Sequence, residues 1–202
     1  ALAAAGIHYE VVPGVTSAIA VPAYAGIPVT LRHSSTSFTV ITGHEDPDKS
    51  DEVNWEAAAQ LGGTIIILMG VGRLPKIVDR LLAGGLAPDT PAAAIRWGTR
   101  PEQHTVRSTL SAIAREPLES PSVIVVGQVA AMDLSWFESR PLFGKKVIVT
   151  RPRHQSSVLA DRLRDEGAEA LMVPTIEIVD PTDQGTALRS SIDHLSSYDW
   201  LV

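Results

Sequence analysis

Short apolar runs alternate with amphipathic segments along the chain. The alternation predicts strands at 7–12, 37–42, 64–69, 91–97, 103–109 and 121–127, and helices at 17–26, 54–62, 74–85 and 110–116. Continuous aliphatic runs such as "TIIIL" and "SVIVV" are typical of strands that are covered on both faces. Strands that alternate with helices predict an α/β fold whose sheet is at least partly parallel.

The pattern changes around the irregular polar stretch "DLSWFESRPLFGKK" and then starts again. A strand "KVIVT", a helix over 156–168, a strand "EALMVP" and a helix near 186–196 follow, and "YDWLV" at the end predicts one more strand. We therefore predict two domains, at 1–135 and 146–202, joined by a linker at 136–145. The first residues, "ALAAAG", are expected to be the last turns of a helix that stops at Gly6.

Composition excludes several classes of protein. The 202 residues carry a net charge of -6, and since no basic face is evident, nucleic acid is not expected as the main partner. No apolar run approaches the roughly 20 residues that cross a bilayer, so no membrane partner is expected. The chain has no cysteine, which excludes disulfides and thiolate chemistry and fits a reducing compartment such as the cytoplasm.

Histidine and serine patterns give little support for a metal site or a hydrolase. The six histidines include no pair at i and i+4, so no metal is expected. None of the serines Ser17, Ser34 and Ser35 lies in a nucleophile-elbow context. His44, in "TGHE" after a strand, is the one histidine placed to contact a ligand, although capping of the loop explains it equally well.

The stretch "MGVGRLP" follows a strand and allows two interpretations. Gly70 and Gly72 match the first half of a dinucleotide fingerprint, but Pro75 stands where the third glycine belongs. The glycines fit a sharp turn at the carboxyl end of the strand better than a nicotinamide site. Met69, at the same strand end, is either a filler of the core or part of a ligand pocket.

Small and polar residues follow two other predicted strands. Thr16 and Ser17 come after the turn at Pro13, where Thr16 can cap a helix, and Gly98 and Thr99 come after the strand 91–97. Open α/β sheets bind ligands at such strand ends. The three strand ends either form one crevice for a small polar ligand or are three separate turns.

Two arginines follow the strand "KVIVT" of the second part. Arg151 and Arg153 lie between this strand and a predicted helix, where they could hold a carboxylate. A solvated pair of loop residues is the alternative.

Together, several motifs resemble a known family. The stretches "VVPGVTSAIAVPAYAGIPVT", "FTVITGHE", "NWEAAAQLGGTIIILMGVGRLP", "TPAAAIRWGT" and "PSVIVVGQV" are similar to the carboxyl-terminal part of uroporphyrinogen-III C-methyltransferases, over residues 7 to 137. The resemblance implies a tetrapyrrole-methylase lobe with a mixed sheet and flanking helices. It also implies a small-molecule tetrapyrrole substrate, S-adenosyl-L-methionine as cofactor, and a homodimer as an assembly that the family commonly forms.

The resemblance also implies which residues bind the cofactor. The "PGVTS" turn places cofactor contacts at Thr16 and Ser17, the "LMG" turn places one at Met69, and the "GT" turn places one at Gly98. Ala93, in "PAAAI", is carried over in the same way. No catalytic residue is implied in this chain, because the family's glycine-rich loop and its arginine belong to an amino-terminal lobe.

From residue 142 on, the chain resembles the start of uroporphyrinogen-III synthases, which have Rossmann-like α/β lobes. The stretch "LFGKKVIVTRPRHQSSVLADRLRDEGAEALMVPTIEI" followed by "YDWLV" carries this second resemblance. The expectation is an internal piece of a bifunctional enzyme of sirohaem and cobalamin biosynthesis, which combines methyltransferase and synthase (lyase) activities. Alternatives are a non-catalytic α/β ligand-binding module and a nicotinamide-dependent oxidoreductase.

Overall fold

A computed structural model of the chain describes residues 1–43, 53–151, 153–177 and 179–200. The chain divides into two compact units. The first comprises Ala1–Lys145 with Glu166–Ala168, and the second comprises Lys146–Asp165 with Glu169–Val202. The segment 136–145, which we predicted as a linker, is part of the first unit. The assignment of the two parts to two different domain families stays a prediction.

The first unit is built on a five-stranded mixed sheet. Its strands are β1 (Phe38–Thr42), β2 (Thr64–Leu68), β3 (Pro91–Arg96), β4 (His104–Thr109) and β5 (Ser122–Val126). Their order across the sheet is β1-β2-β5-β3-β4. The pair β1–β2 is parallel, and the other three pairs are antiparallel. The predicted mixed α/β architecture with a partly parallel sheet is confirmed.

Among the described residues, four helices flank this sheet, and the sequence explains where two of them begin. They are α1 (Ser17–Tyr24), α2 (Trp55–Gln60), α3 (Leu74–Ala83) and α4 (Leu110–Ile113), with 3-10 turns at Ala3–Ala5, Val71–Arg73 and Gln128–Ala131. The side chains of Thr16 and Asn54 accept hydrogen bonds from the first turns of α1 and α2, as helix N-caps do. Gly26 follows α1 with φ +71°, a conformation that glycine adopts without steric cost.

The core lies on both faces of the sheet. Adjacent residues of a strand point to opposite faces, so Ile65 and Ile67 of β2 pack with α2 and α3, whereas Ile66 packs on the other face with α1. The strand β5 alternates in the same way and is buried from Val123 to Val126. This double burial confirms the interpretation of the continuous aliphatic runs.

The predicted strand at 7–12 is wrong. These residues have no regular structure and are exposed, with 84% of the surface of Val12 accessible. A strand needs a neighbour for its backbone N–H and C=O groups, and within the described residues the sheet provides none for this segment. The expected helix at the start is a single 3-10 turn, which ends at Gly6 with φ +67°.

Aromatic rings hold the segment 136–145 in the first unit. The Tyr24 ring lies 4.9 Å from that of Trp136 and 4.8 Å from that of Phe137, between ring centroids. Phe137 also meets Phe143 edge-on at 5.4 Å. Such pairs add about 0.5–1.5 kcal/mol each beyond the area they bury. The segment is therefore anchored against the end of α1.

The second unit is small. Strands β6 (Lys146–Val149) and β7 (Glu169–Met172) form a parallel pair, joined through helix α5 (Arg153–Asp165). Helix α6 (Thr186–Asp193) and a 3-10 turn at Leu195–Ser197 follow. Of the strand predicted at 198–202, residues 198–200 have no regular structure, and the last two lie outside the described residues. Across the described ranges, no helix is both long and apolar enough to span a bilayer.

Candidate functional site

The strand directions of the first unit bring three chain segments to one edge of the sheet. Both β2 and β3 run antiparallel to β5, so their carboxyl ends lie beside its amino end. Leu68 at the end of β2 and Ile95 near the end of β3 both pair with Val123 of β5. The residues that follow β2 and β3 therefore meet those that precede β5.

A hollow of about 440 Å³ opens at this edge. This volume lies within the range of about 300–1,000 Å³ that small-molecule sites occupy. Its walls are mostly apolar and come from α1, the end of β2, the end of β3 and the start of β5: Ser17, Val21, Leu68, Met69, Ile95, Trp97, Gly98, Arg100, Pro121, Ser122 and Val123. Residues from all three predicted segments thus line one hollow: Met69 and Gly98 after strands, and Ser17 at the start of α1.

The turns around the hollow are strained. Met69, Trp97 and Thr99 have φ angles of +54°, +50° and +71°, a left-handed region that side chains other than glycine rarely adopt. Each such residue costs on the order of 1–3 kcal/mol, and such strain clusters at ligand sites. Three of them at one edge of the sheet favour a binding function for this edge.

Met69 is a wall residue and not a core filler. Its accessible fraction is 65%, and it lines the hollow directly after the buried strand β2. A thioether is soft and polarizable, so it suits contact with a flat heteroaromatic or sulfur-containing group. This exposure argues against the interpretation of Met69 as a filler of the core, and its contact with a ligand stays a prediction.

Ser17 lines the hollow at the start of α1, whereas the predicted Thr16 is not one of its wall residues. The hydroxyl oxygen of Thr16 accepts a hydrogen bond of 3.3 Å from the backbone N–H of Ala18, which leaves Ser17 as the first helical residue and a wall residue. Thr16 itself caps the helix beside the hollow. Gly98 is also a wall residue and lies against the Val21 side chain of α1.

A cationic group stands at the wall. The guanidinium carbon of Arg100 lies 5.3 Å from the ring centroid of Trp97, a cation–π distance. Arg100 therefore offers positive charge to a ligand beside an aromatic ring. The hollow combines an apolar lining, exposed backbone turns and this one stacked cation.

A second hollow of about 470 Å³ adjoins the first. The two share Met69, Pro121 and Ser122, and the second adds Gly72, Arg73 and Ser120. Met69 thus stands between an apolar hollow and a more polar one. A molecule with an apolar and a charged part could extend past the Met69 side chain from one to the other.

The remaining predicted site residues lie elsewhere. Ala93 is fully buried in β3, where it pairs with Arg107 and Val125, and it is not a wall residue. Arg151 is exposed and Arg153 is the first residue of α5, both in the second unit. His44 lies outside the described residues. In the described part of the chain, no cluster of three potential metal ligands is present.

Several wall residues had no direct signal in the sequence. Pro121 precedes β5 and Ser122 is its first residue, and only the antiparallel direction of that strand brings them to the edge where β2 and β3 end. Trp97 and Arg100 flank the predicted Gly98, so the "WGTR" turn as a whole was the available signal. Val21 was hidden as an ordinary apolar residue of α1.

Comparison with known proteins finds a matching family model and several relatives. The family model for Tetrapyrrole (Corrin/Porphyrin) Methylases matches residues 1–114. The chain is similar to the Porphyrin biosynthesis protein HemD of Ruminiclostridium josui, with 39% identity over 202 residues that cover 97% of this chain and 40% of the relative. It is also similar to an S-adenosyl-L-methionine-dependent uroporphyrinogen III methyltransferase of Methanosarcina barkeri, with 52% identity over 63% of this chain and 52% of the relative.

Among solved structures, the chain is similar to the uroporphyrin-III C-methyltransferase of Thermus thermophilus complexed with S-adenyl homocysteine. The TM-score is 0.56 and the identity 28%, over 63% of this chain and 56% of that one. The chain therefore spans between 40% and 56% of the length of each of these three proteins.

Proposed function

Because the chain belongs to the tetrapyrrole (corrin/porphyrin) methylase family, we propose that its first unit binds S-adenosyl-L-methionine and takes part in C-methylation of uroporphyrinogen III to precorrin-2. The observation that carries this proposal is the convergence of Ser17, Met69 and Gly98 around one hollow at the edge of the sheet. The relatives named for this activity, and the solved relative with S-adenyl homocysteine, support it.

The wall residues fit this cofactor. An adenosine is flat and largely apolar, and it suits a hollow lined by Val21, Ile95 and Val123 with the exposed Met69 thioether at its edge. The polar hollow beyond Met69, with Arg73 and two serines, suits the charged amino-acid end. At Gly98, which has no side chain, the ligand can approach the backbone closely.

The cofactor, when bound, supplies an electrophilic methyl group on a sulfonium, and an electron-rich ring carbon of the substrate is the acceptor. The residues of this chain would contribute binding, alignment and exclusion of water. Apolar wall residues such as Ile95 and Val123 keep water away from the reacting groups. The turns at Met69 and Gly98 fix the orientation of the cofactor relative to the substrate. Correct alignment of two reactants is worth several kcal/mol, up to about 7–11.

Titration calorimetry with S-adenosylhomocysteine tests this proposal. We expect binding by the chain extended at both ends to the length of its relatives, and methylation of uroporphyrinogen III by the same protein. Binding without turnover would favour a non-catalytic ligand-binding module. Absence of binding by the extended protein would refute the cofactor assignment, and binding of NAD(P) in its place would support an oxidoreductase.

For the second unit we propose the beginning of a uroporphyrinogen-III synthase domain, which would cyclise hydroxymethylbilane to the substrate of the first. Its parallel β6–α5–β7 arrangement suits a Rossmann-like lobe. The similarity to the Porphyrin biosynthesis protein HemD of Ruminiclostridium josui covers 97% of this chain, including this unit. Arg151 and Arg153 are the candidates for contact with a substrate carboxylate.

An activity assay of the extended protein tests the synthase proposal separately. We expect conversion of hydroxymethylbilane to uroporphyrinogen III, and a loss of rate with Arg151→Ala or Arg153→Ala that leaves the binding of S-adenosylhomocysteine unchanged. Absence of uroporphyrinogen III among the products of the extended protein would refute it.

A further inference from the structure

The turn Trp97–Thr99 forms one wall of the hollow, and the buried side-chain amide of Gln103 stabilises it. Only 4% of the surface of Gln103 is exposed, and its Oε1 accepts a hydrogen bond of 2.9 Å from the backbone N–H of Thr99. The backbone N–H of Gln103 donates to the carbonyl oxygen of Arg100, also at 2.9 Å. The side chain and main chain of one residue therefore close the loop 97–103.

The other end of the same amide is fixed by a carboxylate. Nε2 of Gln103 donates to Oε1 of Glu138 at 2.8 Å, and the hydroxyl of Thr105 donates to the same oxygen. An ionised carboxylate only accepts hydrogen bonds, so it selects the NH₂ end of the amide. The amide oxygen must then face Thr99, which leaves Gln103 one orientation.

The hydrogen bonds from Thr99 to Gln103 and from Gln103 to Glu138 form a relay. From this relay we infer that Gln103 and Glu138 are positioning residues for the ligand hollow of the first unit. Neither is a wall residue of the hollow. They act through Thr99, whose φ of +71° is unfavourable for a β-branched residue and needs an external restraint. The inference rests on the proposed function, since the ligand is taken to be S-adenosylmethionine or its product.

The relay extends the site beyond the part of the chain that the family model matches. That match ends at residue 114, whereas Glu138 follows the buried ring of Phe137, which packs on Tyr24 of α1. The aromatic contacts hold the backbone at 137, and the carboxylate next to it reaches the pocket loop. The segment 136–145 thereby becomes part of the binding machinery of the first unit.

A charge exchange tests the relay in the extended protein, with S-adenosylhomocysteine as the probe. Gln103→Leu removes both amide contacts, and Gln103→Glu places a second carboxylate against Glu138. The double variant Gln103→Glu/Glu138→Gln keeps an acceptor for Thr99 and restores a donor–acceptor pair between the two side chains. Ile113→Val, in the core on the opposite face of the sheet, is the control for a general loss of stability.

We expect Gln103→Leu and Gln103→Glu to weaken the binding of S-adenosylhomocysteine about tenfold, as the loss of a buried hydrogen bond does. The double variant should recover most of this loss, and Ile113→Val should bind as the unaltered protein does. Amide exchange of the peptide 97–103 should quicken in the two single variants alone. If Gln103→Leu does not fold, Glu138→Ala at its half-buried position carries the same expectation.

Three outcomes separate this inference from the proposed function. Binding by the unaltered protein together with equal binding by both single variants would refute the relay and leave the proposed function intact. Failure of the unaltered protein to bind S-adenosylhomocysteine would refute the proposed function, and the positioning role would fall with it. Weakened binding without recovery in the double variant would assign Gln103 a packing role and overturn the relay.

Discussion

A side-chain carbon at Gly98 would lie 2.4 Å from Cγ1 of Val21, far inside the distance that two nonbonded carbons tolerate. Val21 lies on α1 and is almost fully buried. The backbone that follows β3 and the helix that begins at Ser17 are therefore in direct contact, and this contact closes one side of the hollow. Glycine is required here by the close approach of α1.

Replacement of Gly98 by alanine should damage both the fold and the site. The added methyl must displace Val21, and overpacking of this kind costs typically about 1–3 kcal/mol of unfolding free energy. We expect that loss in urea denaturation, together with weaker binding of S-adenosylhomocysteine in calorimetry. Gly14→Ala is the matched control, because a carbon added at Gly14 has no atom within 4 Å and Gly14 lines neither hollow. Equal behaviour of the two variants would contradict the packing argument.

Met69 should show opposite effects on stability and on binding. Its φ of +54° costs a side-chain residue about 1–2 kcal/mol, whereas glycine adopts it freely. Met69→Gly should therefore leave the unfolding free energy unchanged or raise it by up to about 1 kcal/mol, while S-adenosylhomocysteine binds more weakly. Such opposition is expected where a residue is kept for function at the expense of stability.

A second substitution at position 69 separates the effect of apolar bulk on binding from the effect of the sulfur atom. Met69→Leu keeps both the apolar volume and the backbone strain, so its stability should match that of the unaltered protein. Binding retained by Met69→Leu would show that apolar bulk is sufficient, and binding lost would assign the effect to the thioether. A fall in stability with Met69→Gly would mean that the side chain packs in the core.

Local signals were sufficient to predict most elements of the first unit. The buried strand β2 follows from four aliphatic residues in a row, and α3 follows from helical spacing with a stop at Gly84 and Gly85. The cap at Thr16 is also local, because it is a short polar side chain before a helix, whereas Asn54, predicted as the first residue of a helix, is its N-cap. These features could be predicted because the signals for them lie in residues that are close together in the sequence.

The features of the site that depend on the order and direction of the strands could not be predicted from the sequence. The order β1-β2-β5-β3-β4 puts the last strand between the second and the third, so Ser122 reaches the site from the amino end of β5. No local signal specifies that order. The apolar alternation at 7–12 predicts a strand, but strand formation depends on a partner, which is a property of the whole sheet. The Gln103–Glu138 relay joins residues 35 apart in sequence and is invisible in the pattern.

The ion pair between α2 and α3 should make stability depend on pH. Arg80 donates to both carboxylate oxygens of Glu56, at 3.0 Å from Nε and 2.8 Å from Nη2. These hydrogen bonds lower the pKa of Glu56 below its ordinary value of 4.5. Since the folded state has the lower pKa, the stabilisation is complete above the ordinary value and is lost as the pH falls through the lowered one.

The variant Glu56→Gln tests this predicted loss of stability at low pH. Its unfolding free energy should be lower than that of the unaltered protein at neutral pH, and the gap should close as the pH falls below 4.5, the ordinary pKa of Glu56. Urea denaturation followed by far-UV circular dichroism at a series of pH values measures the gap. Glu10→Gln, at an exposed position in the irregular segment, should change nothing. A gap that is independent of pH would exclude the carboxylate as its cause.

In the second unit, the start of α6 should depend on one ionised carboxylate. Asp183 accepts hydrogen bonds from the backbone N–H groups of Gly185 at 3.0 Å and Ala187 at 2.8 Å. The bond from Ala187, and then that from Gly185, lowers the pKa of Asp183 below its ordinary value. The folded helix start therefore favours the ionised form, and its stabilisation is lost as the pH falls through the lowered pKa.

Amide exchange of the helix peptide measures this effect at neutral pH. Asp183→Ala removes both acceptors, so exchange over 185–193 should quicken most. Asp183→Asn keeps one acceptor oxygen without charge and should give an intermediate rate, because a neutral acceptor forms the weaker hydrogen bond. Asp180→Asn, at a nearby exposed position, is the control and should exchange as the unaltered chain does. Equal rates in all four proteins would show that α6 begins without help from the carboxylate.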